Sequence, residues 1–174
     1  MRWYQSGVGQ DGQSPAFYTL KYPDFATAIV VADGIEAQLI MAEDSLKNNN
    51  VPGWLGILNA LRGNTTILNS PPYTLAGQKA ATALAPLADP GSPDTRLDLM
   101  FQERAMWMYL TGHRLGDLRR LVRNYGRGAP SVFPSGNYLG AAGGSIGPDV
   151  NFPITIDEQN NPSAPPSLCS DRNP

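Results

Sequence analysis

Between residues 92 and 127, apolar side chains recur at Leu97, Phe101, Met108, Leu115, Leu118 and Val122. Steps of three, four and seven make an amphipathic helical stripe and not a strand. A stripe of that length must be covered by a neighbouring element, so the chain has to supply other helices or a partner. Ser92 or Asp94 can cap the start, Pro93 suits the first turn, and Asp94 and Asp98 favour the positive end of the helix dipole. Arg119, Arg120 and Arg123 favour the other end, and Gly126 can stop the helix. Gly112 and Gly116 either admit a second backbone close to one face or mark a break between two shorter helices.

The partners for that stripe lie upstream. Asp33 is a good N-cap with Glu36 three residues on, and Ile35, Leu39, Ala42 and Leu46 share one face, which predicts a helix over 34–47. Asn48-Asn49-Asn50 ends it. Pro52 then opens a second helix that faces Trp54, Leu55, Leu58 and Leu61 inward and stops at Gly63. Two helices joined so briefly pack as an antiparallel hairpin. A third, alanine-rich helix is expected around 74–84, before the Asp89-Pro90-Gly91-Ser92-Pro93 breaker.

Residues 1–32 read as an exposed lead-in with β-prone patches at Phe17-Tyr18-Thr19-Leu20 and Ile29-Val30-Val31. From 128 to 174 more than half of the residues are Gly, Pro, Ser or Asn, a composition that predicts no helix. Phe133, Tyr138, Phe152, Ile154 and Ile156 are spaced to pin such a tail as ordered coil. The expected architecture is therefore mainly α: one domain with a lead-in over 1–32, a helical core over 33–127 and a loop-rich tail over 128–174.

Net charge is −2, which gives no reason to expect nucleic acid. The charge is uneven, however: residues 104–127 carry six arginines against the single acid Asp117. Such asymmetry points to docking of the Arg-rich element on an acidic one, in the chain or in a partner. Glu36 and Glu43, two turns apart on one face, are placed to meet arginines, and Glu36, Glu43, Arg104, Arg114 and Asp117 form the expected structural ion-pair network. An acid/base pair at Glu36 and Glu43 is the less favoured reading. Glu103, His113 and Asp117 lie at offsets of ten and four, which do not bring them to one point. One cysteine, Cys169, and one histidine, His113, leave no Cys- or His-based metal cluster to expect. No phosphate loop or nucleophile motif appears, and no cofactor is expected.

Aromatic residues in loop-like stretches are the natural surfaces for sugar rings. Tyr73, Tyr125 and Tyr138 are the candidates, with Trp3 and Tyr4 beside them, while Trp54 and Trp107, on helices, are read as core.

Four stretches stand in the order of one family. Gly34-Ile35-Glu36-Ala37-Gln38-Leu39-Ile40-Met41-Ala42-Glu43 resembles the "E-x-x-L-I-x-A-E-A" helix of SusD/RagB proteins. Leu58-Asn59-Ala60-Leu61-Arg62 resembles their "L-N-x-[IL]-R". Glu103-Arg104, followed by Gly112, Arg114, Asp117-Leu118 and Arg120, is similar to "E-R-x-x-E-L-x-x-E-G-x-R-x-x-D-L-x-R", with Trp107 and Thr111 where glutamates are usual. Asn151-Phe152-Pro153-Ile154, with Glu158 and Asn161-Pro162, resembles the closing "P-I-P-x-x-E-x-x-x-N-P".

The resemblance covers the carboxy-terminal portion of the family fold, which is related to tetratricopeptide hairpins. It implies a truncated member or a fragment, lacking the amino-terminal half and the lipoprotein signal. It also implies non-catalytic binding of a glycan or other nutrient on the outer-membrane surface, beneath which a SusC-like TonB-dependent transporter would be the partner. Attachment to the membrane would be only through a lipid anchor in a full-length form. The alternative is a free-standing helical-hairpin module that binds a protein.

Overall fold

A computed structural model describes residues 3–19, 21–22, 26–69, 81–137, 144–146, 150, 155, 157 and 160–163. These residues are mainly helical, with one two-stranded sheet, and the chain divides into two compact units, Met1–Thr111 and Gly112–Pro174.

In the first unit, β1 (Trp3–Val8) pairs antiparallel with β2 (Pro15–Thr19), with Trp3 opposite Thr19 and Tyr4 opposite Tyr18. The register is irregular between Gln5 and Val8. The Asp11 carboxylate holds the connecting loop by accepting the N–H groups of Gln13 (3.0 Å) and Ser14 (2.9 Å). Of the two β-prone patches, the first lies largely in β2, while Ile29-Val30-Val31 is coil. Ile29 and Val31 are well exposed there, because β-propensity is expressed only where a neighbouring strand offers a ladder.

α1 (Gly34–Lys47) starts as its sequence predicts: the Asp33 carboxylate accepts the N–H of Glu36 at 2.8 Å. Asn49, at φ 57°, turns the chain in the left-handed region. α2 (Val51–Gly63) is capped by the Asn50 side chain, which accepts the N–H of Gly53 at 3.0 Å. A Cβ at Gly53 would run into the Asn50 side chain, so a larger residue there would have to displace that cap. The two helices pack together and bury Ile35, Leu39 and Ala42 from one side, with Trp54, Leu58 and Leu61 from the other.

A single-turn α3 (Thr65–Asn69) follows, absent from the expectation. The expected helix over 74–84 is not seen where the structure speaks: 70–80 lie outside the described residues, and 81–90 are coil. Asp89 lies in that coil and binds Arg96 through two parallel bonds of 2.7 Å each. It also accepts the Gly91 N–H at 2.9 Å. Arg96, more than the Gly91 N–H, holds the Asp89 carboxyl down from its ordinary 3.8 to about 2. A depressed carboxyl contributes stability that is complete above its unfolded value and lost as pH falls through the folded one. Urea midpoints measured between pH 5 and about 2 should therefore fall more steeply for the wild type than for Asp89→Asn, with the difference opening below 3.8. Parallel curves would show that the pair adds nothing.

α4 (Pro93–Trp107) opens with a reciprocal cap, in which Ser92 and Thr95 exchange side-chain and backbone bonds. It packs against α1, and Leu97, Met100, Phe101 and Arg104 along it are buried. The Trp54 indole N–H donates to the Met100 Sδ at 3.3 Å inside this core.

The 92–127 stripe is not one helix. Of the two roles open to Gly112, the structure selects the break: α4 ends at Trp107, Leu110 (φ 60°) and Gly112 (φ 82°) both take left-handed conformations, and α5 (Arg114–Arg123) starts anew. The turn is held from the lead-in. Lys21 Nζ donates to the Tyr109 carbonyl at 2.8 Å, and the Tyr22 hydroxyl donates to that of Leu110 at 3.1 Å. Burial pushes the Lys21 ammonium below its usual range.

In the second unit, α5 buries Asp117, Leu118 and Leu121 and terminates before Gly126 (φ 67°). The tail does contain a helix, α6 (Ala129–Val132), which corrects the expectation of none. Pro130 suits its first turn, and a single turn needs only the Phe133 N–H donating to the Ala129 carbonyl at 2.9 Å. Phe133 is half-buried and Val150 buried, while Tyr138, Phe152, Ile154 and Ile156 lie outside the described residues.

Candidate functional site

α4 has two working faces. Leu97, Met100, Phe101 and Arg104 make the buried one, continued by Met108 just past its end. Leu99, Gln102, Glu103, Met106 and Trp107, at the same three- and four-residue spacing but about half a turn away, floor a groove of about 450 Å³. Leu68 of α3, Leu84 and Leu87 of the coil, and Arg62 of α2 form the remaining lining among the described residues.

The wall opposite α4 is irregular backbone made rigid by side chains. Asn59 grips Leu87 from both sides, donating to its carbonyl at 3.1 Å and accepting its N–H at 2.7 Å. Asn69 treats Ala81 the same way, at 3.0 Å and 2.6 Å. Arg62 donates through Nε to the Ala85 carbonyl at 2.8 Å, and its own carbonyl accepts the Leu84 N–H at 2.9 Å. These bonds replace the ladder that a coil lacks, so the strap holds its place without being a strand.

Glu103 is the pivot. Its side chain is only 7% exposed. Oε1 accepts from Arg62 Nη1 at 2.7 Å and Oε2 from the Trp107 indole N–H at 3.2 Å. A buried carboxylate needs a counter-charge and filled lone pairs, and this one has both. The Trp107 ring is thereby fixed against the groove.

Arg62 Nη2 and the Gln102 amide make no hydrogen bonds among the described residues, and are left for solvent or a ligand. Among the described residues no group of three or more His, Cys, Asp or Glu side chains is placed to hold a metal ion.

The residues singled out from sequence fall in different places. Glu43 and Arg104 are buried on α1 and α4, which pack together, and Glu36 is half-buried at the start of α1. Arg114 is exposed. Asp117 is buried and accepts from Arg120 Nη2 at 2.8 Å, one turn along α5. Tyr125 is half-buried just after α5, whereas Tyr73 and Tyr138 lie outside the described residues.

Trp54 is core, fully buried, but Trp107 is a correction: it is half-buried on the groove and not in the core. Helical arithmetic carries the signal that was passed over. Trp107 stands one residue before Met108 of the apolar stripe, about 100° round the helix, on the side of Glu103.

No family model, curated protein or solved structure matches the chain. No helix among the described residues is long and apolar enough to cross a membrane.

Proposed function

We propose that the chain is a non-catalytic binder of a glycan or other nutrient, of the SusD/RagB kind, working at the outer-membrane surface with a SusC-like TonB-dependent transporter. One observation carries the reading. Two of the four stretches that resemble the family are 41 residues apart in sequence, yet they meet through Arg62 and Glu103. Asn59 and Arg62 of the "L-N-x-[IL]-R" stretch hold the strap, and Glu103 of the "E-R" stretch receives the same arginine. Motif residues that converge on one groove have a shared task. A preformed, mostly apolar groove with a few convergent polar groups is the usual form of a small-ligand site.

The test is binding of the purified chain to an array of neutral and acidic oligosaccharides, with chromatography of the ligands afterwards. Retention of at least one oligosaccharide without change supports the reading. Cleavage products would overturn its non-catalytic part, and an array on which nothing is retained would overturn the whole.

A second reading, the helical-hairpin module that binds a protein, is favoured by the outer face of α1. Ile40 and Met41 there are 56% and 54% exposed, although they sit within a packed hairpin.

A further inference from the structure

The charges and the unspent polar groups of the groove restrict its occupant further than the word glycan does. Arg62 and Glu103 are the only formal charges that line it among the described residues, and they cancel one another at 2.7 Å. An anionic ligand would be desolvated against Leu68, Leu84, Leu87 and Leu99 with no cation left over among the described residues, a cost that a neutral ligand avoids. Cationic ligands meet the same difficulty, because both oxygens of Glu103 are already engaged.

A purely apolar ligand is disfavoured for the opposite reason. Arg62 Nη2 and the Gln102 amide would lose water and gain nothing. What fits is a molecule with one C–H face and a rim of hydroxyl groups.

We infer that the groove between α4 and the 84–87 strap is a subsite for a neutral pyranoside, stacked on Trp107 and hydrogen-bonded through its hydroxyls to Gln102 and Arg62 Nη2. The inference rests on the glycan-binding reading above and adds the place and the class of sugar. Trp107 is suited to the stacking role because its indole N–H is spent on Glu103, which holds the ring in one orientation before any ligand arrives. Gln102 is exposed on the same face of α4, one residue before Glu103, and can accept from one hydroxyl while donating to another.

The full chain is titrated by calorimetry and by saturation-transfer NMR, readouts that do not depend on tryptophan emission. The probes are methyl glucoside, methyl galactoside, maltose and cellobiose, with glucuronate as the anionic control and cyclohexanol as the apolar one. Trp107→Ala and Gln102→Ala are titrated beside the wild type, with the urea midpoint of each recorded. The Gln102 side chain makes no hydrogen bond to lose among the described residues, so its variant separates binding from folding.

The expected result is binding of at least one neutral sugar, weakened about tenfold by Trp107→Ala and severalfold by Gln102→Ala. Glucuronate should bind more weakly, and cyclohexanol should not compete. Neutral-sugar binding that survives both substitutions unchanged overturns the subsite and leaves the glycan-binding reading standing. Preference for glucuronate overturns the neutral class. Cyclohexanol binding without sugar binding overturns the pyranoside, and absence of binding to every sugar overturns the glycan-binding reading together with the subsite.

Discussion

Replacing Trp54 with alanine is expected to cost about 3–5 kcal/mol, a large part of the roughly 5–15 kcal/mol that holds a domain of this kind together. Trp54 is fully enclosed, among the largest side chains of the first unit to be so, and it contacts α4 as well as belonging to the hairpin. Truncation opens a cavity that the α1–α2–α4 packing cannot close without moving a whole helix. The Met100 Sδ loses its N–H donor at the same time. Urea unfolding followed by circular dichroism measures the effect. A loss below about 1 kcal/mol would show that α4 does not depend on this contact. Trp54→Phe keeps most of the volume and should cost clearly less.

The second large effect is expected at Arg62. Arg62→Met keeps the stem but leaves the Glu103 carboxylate buried without its cation, which costs about 3–5 kcal/mol for a pair of this kind. The Arg62 side chain is itself 19% exposed, which places the expected value near the lower end. The Ala85 carbonyl loses a donor as well, so the 84–87 strap should exchange its amide hydrogens faster than α1 or α4.

The double variant Arg62→Met, Glu103→Leu separates the two causes. Removing both charges should recover most of the loss, because the penalty lies in the orphaned carboxylate and not in the absence of a bond. A double variant as unstable as the single one would contradict that account. So would an Arg62→Met protein that unfolds with the wild type.

What could be read from sequence was the local part. The start of α1 depends on Asp33 and its neighbours within one turn, and so does the stop at Asn49. Trp54, Leu58 and Leu61 announce their burial by spacing alone. The break before α5 was half legible: Gly112 marks it, but nothing about Leu110 predicts a left-handed leucine. That conformation costs energy, and it is held by Lys21 and Tyr22, 88 residues away in sequence.

The site was harder. Charge asymmetry directed attention to the arginines after 104, yet the cation that closes on Glu103 comes from α2. An arginine at the end of a helix can reach many carboxylates, and only the fold of the intervening chain chooses among them. The asparagine clamps were equally hidden. Asn59 and Asn69 look like ordinary polar residues until the strap they hold is in place.

The two faces of α4 give two of its methionines opposite exposure to oxidants. Met100 is fully enclosed, with its sulfur engaged by Trp54, whereas Met106 is 58% exposed at the rim of the groove. Peroxide therefore reaches Met106 first and converts an apolar, flexible rim into a polar sulfoxide. The core beneath keeps its packing, so the helix stays folded while the groove it floors changes character. Damage of this sort is reversible by methionine sulfoxide reduction. α4 thus carries a chemically soft edge over a protected centre, and oxidative stress would alter the surface of the groove well before it lowered stability.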